Sequence, residues 1–319
     1  MKYIVAFILC ILSLSCTASA QNKPAVTEQE RFRLAAEYSA GSRGLSVLMM
    51  RGDKVIFEEY QNGHSADTPW ILASGTKSFS GVMLAAAIED KLIKGFDGKV
   101  SDTITEWKND KQKAGITIRQ LLSLTSGIDA GQIGCVPAYA DAVNSPVAYP
   151  AGTHFQYGPI PFQIFGELMT RKLKPKNEGV LDYLKRRILN PIGLNVAFWR
   201  TDNGEPLLPQ GAGLTAREWI KFGIFLKNGG KWNGKQIVKK KLLDELITGT
   251  KANPAYGITF WLNYEGQGPA GADTRRTGLS EEVKDIYMAA GAANQRLYII
   301  PSQDLVIVRQ GRMAQWGDS

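Results

Sequence analysis

Ser74-Gly75-Thr76-Lys77-Ser78-Phe79-Ser80-Gly81-Val82-Met83-Leu84-Ala85-Ala86-Ala87-Ile88 sets a serine and a lysine three residues apart at the head of a long apolar run. On a helix, residues i and i+3 share a face one turn apart, so the hydroxyl and the amine can touch. The run that follows is small and apolar enough to be buried. Burial disfavours an ammonium ion, lowers the lysine pKa and makes the amine a possible base near neutral pH. Serine would then be the nucleophile. Taken alone, the same spacing also suits a plain helix with an N-terminal serine and a solvated lysine, so the rest of the chain has to decide.

The chain has 319 residues, 44% of them hydrophobic, which is enough for one large domain or two interleaved ones with a sizeable core. Its 38 basic and 30 acidic residues give a formal charge of +8. The densest basic cluster, Lys239-Lys240-Lys241, has no interleaved aromatics and reads as a solvated helix face, which argues against a nucleic-acid partner.

Met1 to Ala20 reads as a targeting segment: Lys2 at the start, the apolar stretch Tyr3 to Leu14, and the small residues Ala18-Ser19-Ala20 before Gln21. The expectation is an exported, periplasmic protein. A rival reading takes Leu12-Ser13-Leu14-Ser15-Cys16 as a lipoprotein signal, with a lipid anchor on Cys16. Of Cys10, Cys16 and Cys135, only Cys135 survives cleavage after Ala20, so no intrachain disulfide is expected and Cys135 reads as a small packed side chain. The only histidines, His64 and His154, leave no room for a three-histidine zinc site or an H-E-x-x-H helix. No phosphate-cradling glycine loop and no G-x-S-x-G elbow is present, so neither metal nor cofactor is expected.

Taken in order, the mature chain opens with a helix over Thr27 to Ala40 and a hairpin of Gly44 to Met50 with Val55 to Tyr60, turned by Arg51-Gly52-Asp53-Lys54. From Lys94 to Gly249 helices and long loops dominate. Ile116 to Gly127 predicts a capped helix ending in glycine; Phe162 to Leu173 and Val180 to Ile188 predict others. Thr215 and Glu218 predict a capping box for a helix that stops at Asn228-Gly229-Gly230. Strands return at Tyr256 to Asn263, Ile286 to Met288, Arg296 to Ile300 and Leu305 to Gln310. The pattern predicts an α+β protein, with a sheet unit from residues 21–73 and 252–319 carrying a helical domain over 74–251, and the Ser74 helix at their seam.

Further motifs then gather round Ser74-x-x-Lys77: Ile118-Arg119-Gln120-Leu121-Leu122 leading to Thr125-Ser126-Gly127, Pro150-x-Gly152-x-x-Phe155-x-Tyr157, and Gly213-Leu214-Thr215-Ala216-Arg217. This ordered set, spread over nearly all of the mature chain, resembles the serine β-lactamase-related family, which includes class C β-lactamases, D-alanyl-D-alanine peptidases, bacterial esterases and nylon-oligomer hydrolases. The resemblance implies a β-lactamase/transpeptidase-like fold, an antiparallel sheet flanked by helices with an inserted all-helical domain. It also implies roles: Ser74 becomes acylated, while Lys77 and Tyr157 move its proton to the leaving group and later activate water. The third motif matches best at Ala289-Ala290-Gly291, lining the cleft, with the backbone N–H of Ala292 and of Ser74 as oxyanion hole.

Two departures narrow the substrate. Where the family has Tyr-x-Asn this chain has Tyr157-Gly158-Pro159, which puts Pro159 at the place of an amide-docking side chain in the cleft. Where it has a cation at the head of the third motif this chain has Ala289, with Arg275, Arg276 or Arg296 left to restore a carboxylate contact. The expectation is a small ester or amide substrate rather than a β-lactam or a D-alanyl peptide, with a β-lactamase, a peptidase or a non-catalytic binding protein as alternatives. The chain ends at Gln315-Trp316-Gly317-Asp318-Ser319, straight after its last predicted strand.

Overall fold

The computed structural model of the protein describes residues 26–269 and 283–313. The leader with Cys10 and Cys16, the arginines Arg275 and Arg276, and Gln315 to Ser319 lie outside them.

The Gly52-Asp53 turn joins strands β1 (Gly44–Arg51) and β2 (Lys54–Tyr60), with Gly52 in the left-handed conformation such a turn requires (φ +59°). The remaining strands of the same six-stranded antiparallel sheet come from the far end of the chain: β3 (Trp261–Leu262), β4 (Tyr287–Gly291), β5 (Gln295–Ile300) and β6 (Leu305–Gly311), in the order β3-β4-β5-β6-β1-β2. One register row crosses the sheet as Leu48, Val308, Leu297 and Ala289, each at most 1% exposed, and delivers Ala289 to the edge nearest Ser74. β1 is central and needs both faces covered.

Two helices cover it. Helix α1 (Glu28–Gly41), capped by Thr27 accepting from the Glu30 N–H, packs Phe32 and Ala36 on Val47 and Met49. On the other face lies the helix over Ala216–Lys227, where Gly223 lets the backbone sit almost on the sheet: a Cβ there would come within 2.5 Å of Val306 and 2.7 Å of Leu297. Thr215 caps it as expected, yet the capping box is only half formed, because the Glu218 carboxylate turns away to the Asn195 N–H and Lys221. The full box forms instead at Thr117 and Gln120, at the head of a shorter helix (Ile118–Leu122) than the run to Gly127 predicts; Leu124, at φ +62°, cannot continue it.

The predicted strand over Tyr256 to Asn263 shrinks to Trp261–Leu262. Thr259 adopts φ +71°, which breaks the extended backbone, and Ile258 bonds to Leu246 O instead of a strand neighbour. The segment between the sheet's two halves also contributes short strands that the sequence reading had not separated out. Ala212–Leu214 pairs with both Trp70–Ile71 and Phe198–Trp199, and Gly213 is needed there because a Cβ would stand 2.0 Å from the Phe198 ring. Cys135 is exposed rather than packed, on a loop that runs past Gly131 and Gly134. Among the described residues no helix is long and apolar enough to cross a membrane, and no cluster of His, Cys, Asp and Glu is placed to hold a metal.

Candidate active site

Ser74 sits in a 3-10 turn (Ala73–Thr76) that runs directly into the helix Lys77–Glu89. The turn is entered through Ala73 at φ +47°, an uncommon conformation for a residue with a Cβ, held by Leu72, whose N–H donates to Ala212 O. The helix is buried all round from Lys77 to Ala87, as its uniformly small and apolar sequence dictates. Gly81 allows it to press on the Thr259 turn, where a Cβ would meet Thr259 Oγ1 at 2.3 Å, and Ser78 Oγ donates to Thr259 O.

Lys77 is 4% exposed, with Nζ 3.0 Å from Ser74 Oγ and 3.0 Å from the carbonyl oxygen of Pro209. The amine lies 5.0 Å from the centre of the Tyr157 ring and 5.3 Å from that of Phe162. Among the described residues no carboxylate pairs with it. Burial without a counter-charge brings its pKa down to about 7. The Pro209 contact is one that sequence reasoning missed, and no side-chain signal could have found it, since it is made by a backbone carbonyl.

Tyr157 is half-buried and stands in an aromatic cluster with Phe155, Tyr256 and Trp261, its ring 5.4 Å from that of Trp261. The loop that carries it is pinned by backbone bonds from Gly152 to Thr125 O and from Gln156 to Leu124 O, which ties the Thr125-Ser126-Gly127 motif to the tyrosine motif. Gly127 (φ +77°) could not carry a side chain, because a Cβ would stand 1.9 Å from Tyr149 O.

Strand β4, second in the sheet beside the short edge strand β3, ends against the serine turn. A Cβ on Gly291 would lie 2.1 Å from Leu72 O and 3.0 Å from the Gly75 nitrogen, so only glycine permits this approach. Ser74, Tyr157, Trp261, Met288, Ala290, Gly291 and Ala292 line one cavity of about 260 Å³, closed further by Ile133, Pro269, Ala293, Asn294 and Arg296. Among the described residues its wall carries no carboxylate and no histidine. Two of the expected cleft residues stand back from it: Ala289 points into the sheet's buried face, and Pro159 is buried at the head of the helix Ile160–Leu173. His64 packs on Trp70 and His154 stacks on Tyr149, so neither histidine borders the Ser74 cavity. Of the tryptophans among the described residues, Trp261 is the one in this wall, a placement that a buried strand residue does not advertise.

A sheet with helices on both faces and a buried Ser-x-x-Lys pair beside it agrees with the fold expected of the serine β-lactamase-related family. Residues 32–310 match the sequence model of the Beta-lactamase family, and the chain belongs to that family. An uncharacterized protein of Alkalihalophilus pseudofirmus is 23% identical over 303 residues, covering 83% of each chain. Among solved structures, a candidate beta-lactamase from Bacteroides dorei DSM 17855 superposes with a TM-score of 0.74 at 18% identity, covering 92% of this chain and 93% of that one. A candidate 6-aminohexanoate-dimer hydrolase from Bacillus anthracis follows with 0.70 at 19% (86% and 75% covered), and EstCE1, a hydrolase with promiscuous acyltransferase activity, with 0.69 at 15% (90% and 93% covered). At these identities the structural likeness speaks for the fold.

Proposed function

We propose that the protein is an exported serine hydrolase that cleaves a small ester or amide through an acyl-Ser74 intermediate. The observation that carries the reading is the Lys77 amine, buried without a carboxylate partner among the described residues, 3.0 Å from Ser74 Oγ, with a pKa of about 7.

In the neutral form the amine accepts the Ser74 proton as Oγ attacks the substrate carbonyl. The oxyanion is met by the N–H groups of Ser74 and Ala292, which the close approach of Gly291 to the serine turn would set side by side. The ammonium so formed faces the Tyr157 ring, which stabilises it by a cation–π contact, and the tyrosine hydroxyl relays the proton to the departing alkoxide or amine. Water then attacks the acyl-serine with the same pair as base, which releases the acid and restores Ser74. No step calls for a metal or cofactor.

Gly158 and Pro159 offer no side-chain amide, and Ala289 offers no cation, which favours an ester or simple amide over a β-lactam or D-alanyl peptide. The leader Met1 to Ala20 supports export to the periplasm. Intact mass after exposure to a fluorophosphonate, with Ser74→Ala in parallel, tests the reading. One adduct on the wild type alone is expected. No adduct on either folded protein would replace the hydrolase by a binding protein, and rapid turnover of a chromogenic cephalosporin beside slow turnover of a nitrophenyl ester would replace it by a β-lactamase.

A further inference from the structure

Among the described residues, the wall of the Ser74 cavity holds one fixed positive charge, Arg296. Arg296 is the second residue of β5, half-buried, and its guanidinium is held from behind: Nη1 donates to Gly291 O at 2.8 Å and Gln295 O at 2.9 Å, and Nη2 donates to Asn294 Oδ1 at 2.9 Å. The Nε hydrogen and one Nη2 hydrogen remain. Among the described residues no carboxylate neutralises it, although most other partly buried arginines here are paired, among them Arg119, Arg171 and Arg187.

Its neighbour across the strands, Arg309, adds to the positive field without being available itself. Nε of Arg309 donates to Ser39 Oγ, Nη1 to Ala293 O and Asn294 O, and Nη2 to Ser39 O and Ser42 O, so every N–H is used. Those bonds clamp the tight turn Ala292–Asn294, in which Ala293 and Asn294 both adopt φ +56°. Arg309 therefore positions the turn, the turn positions Asn294, and Asn294 positions Arg296. Apart from Ser74 and Asn294, the other described residues of the wall are apolar, aromatic or small, with Ile133, Tyr157, Trp261 and Met288 the largest. An unpaired guanidinium at one end of a small apolar cavity, with two donors left over and its rotamer already fixed, is suited to a planar anion.

We infer that Arg296 determines specificity by holding a carboxylate carried by the substrate, so that the protein acts on small monoanionic esters or amides whose apolar body lies against Tyr157 and Trp261. The inference rests on the reading of Ser74 as nucleophile for turnover, though not for binding. It also relocates the anion contact from the family's position, here Ala289, to the next strand of the sheet.

Two matched substrate pairs test it: the mono(4-nitrophenyl) ester of adipic acid against 4-nitrophenyl hexanoate, which places the charge on the acyl side, and 4-acetoxybenzoate against its methyl ester, which places it on the leaving group. In at least one pair the wild type is expected to prefer the anionic member by about tenfold to a hundredfold in kcat/KM, the range that a charge-assisted hydrogen bond supplies. Arg296→Gln should bring that ratio to about one and Arg296→Lys should leave it in between. Because the ratio is the readout, a general disturbance of the oxyanion strand, which slows both members alike, does not imitate the effect. No preference in either pair, or one that survives in Arg296→Gln, overturns the inference. Binding of benzoate, followed by calorimetry on the Ser74→Ala protein, needs no turnover: binding lost in the additional presence of Arg296→Gln supports the anchor even if no ester is cleaved, and binding unchanged refutes it. Absence of a fluorophosphonate adduct instead removes the nucleophile.

Discussion

Replacing Lys77 by methionine should abolish acylation while making the protein more stable at neutral pH. The amine is buried and its pKa falls from 10.5 to about 7, so the folded state holds it at a cost that the unfolded chain does not bear. Linkage sets that cost at about 4 kcal/mol at pH 7 and about 2 kcal/mol at pH 9. The sign follows from proton uptake. Between pH 7 and pH 10.5 the unfolded chain binds more protons than the folded one, so wild-type stability rises with pH through that window. Methionine fills a similar volume but leaves Pro209 O without its donor, a loss of about 1 to 3 kcal/mol, so the net gain at pH 7 is about 1 to 3 kcal/mol. That packing term does not depend on pH, and the difference between the two proteins should therefore shrink by about 2 kcal/mol from pH 7 to pH 9. Urea unfolding of both proteins at the two pH values reads it directly. Parallel stability of wild type and Lys77→Met over that range would mean that Lys77 is charged in the folded protein, and the neutral-amine mechanism would fall with it.

The same pKa predicts that kcat/KM for a neutral ester rises with pH along an acid limb with its midpoint near 7; a flat profile from pH 5.5 to pH 8.5 would exclude Lys77 as the titrating base. Tyr157→Phe keeps the ring beside the ammonium and removes only the hydroxyl, so unfolding should move by less than about 1 kcal/mol while turnover falls about a hundredfold or more; an unchanged rate would leave the proton relay without its tyrosine. Gly291→Ala puts a Cβ 2.1 Å from Leu72 O, and since neither backbone can yield cheaply, both the melting temperature and fluorophosphonate labelling should drop. Thr215→Ala removes the cap of the helix over Ala216–Lys227 and should cost about 1 kcal/mol in urea unfolding with the labelling rate unchanged, which separates loss of stability from loss of chemistry.

What could be read from the sequence was what is locally determined. The Arg51-Gly52-Asp53-Lys54 turn, the Thr215 cap and the Ser74-to-Lys77 spacing each depend on a few adjacent residues, and each appears where those residues place it. What depends on distant backbone was not legible. Thr259 breaks a run with good strand composition because Gly81 and Ser78 of another helix receive it in a left-handed conformation. Glu218 deserts its capping box because Asn195 and Lys221 compete for the carboxylate. The contacts of Lys77 to Pro209 O and of Arg309 to the carbonyls of Ala293 and Asn294 run through main-chain oxygens, which every residue has and no motif can mark.

The proposed chemistry uses two basic side chains of this cleft, and their surroundings differ. Lys77 is enclosed by Tyr157, Phe162 and the Pro209 carbonyl, with no carboxylate to pair with among the described residues, so desolvation brings its amine to the point where it can give up a proton near pH 7. Arg296 borders the open cavity, where its Nη1 donates to the carbonyl oxygens of Gly291 and Gln295 and its remaining N–H groups are left for an anion. A carboxylate in the wall would defeat both, by restoring the lysine ammonium and by occupying the arginine. That the described residues of the wall include no carboxylate is therefore a requirement of the proposed chemistry, not a detail of composition. Introducing one, as in Met288→Glu, should push the acid limb of kcat/KM above pH 7 and erase any preference for anionic esters in a single substitution. If the profile and the preference both survived that change, neither residue could be acting by its charge state.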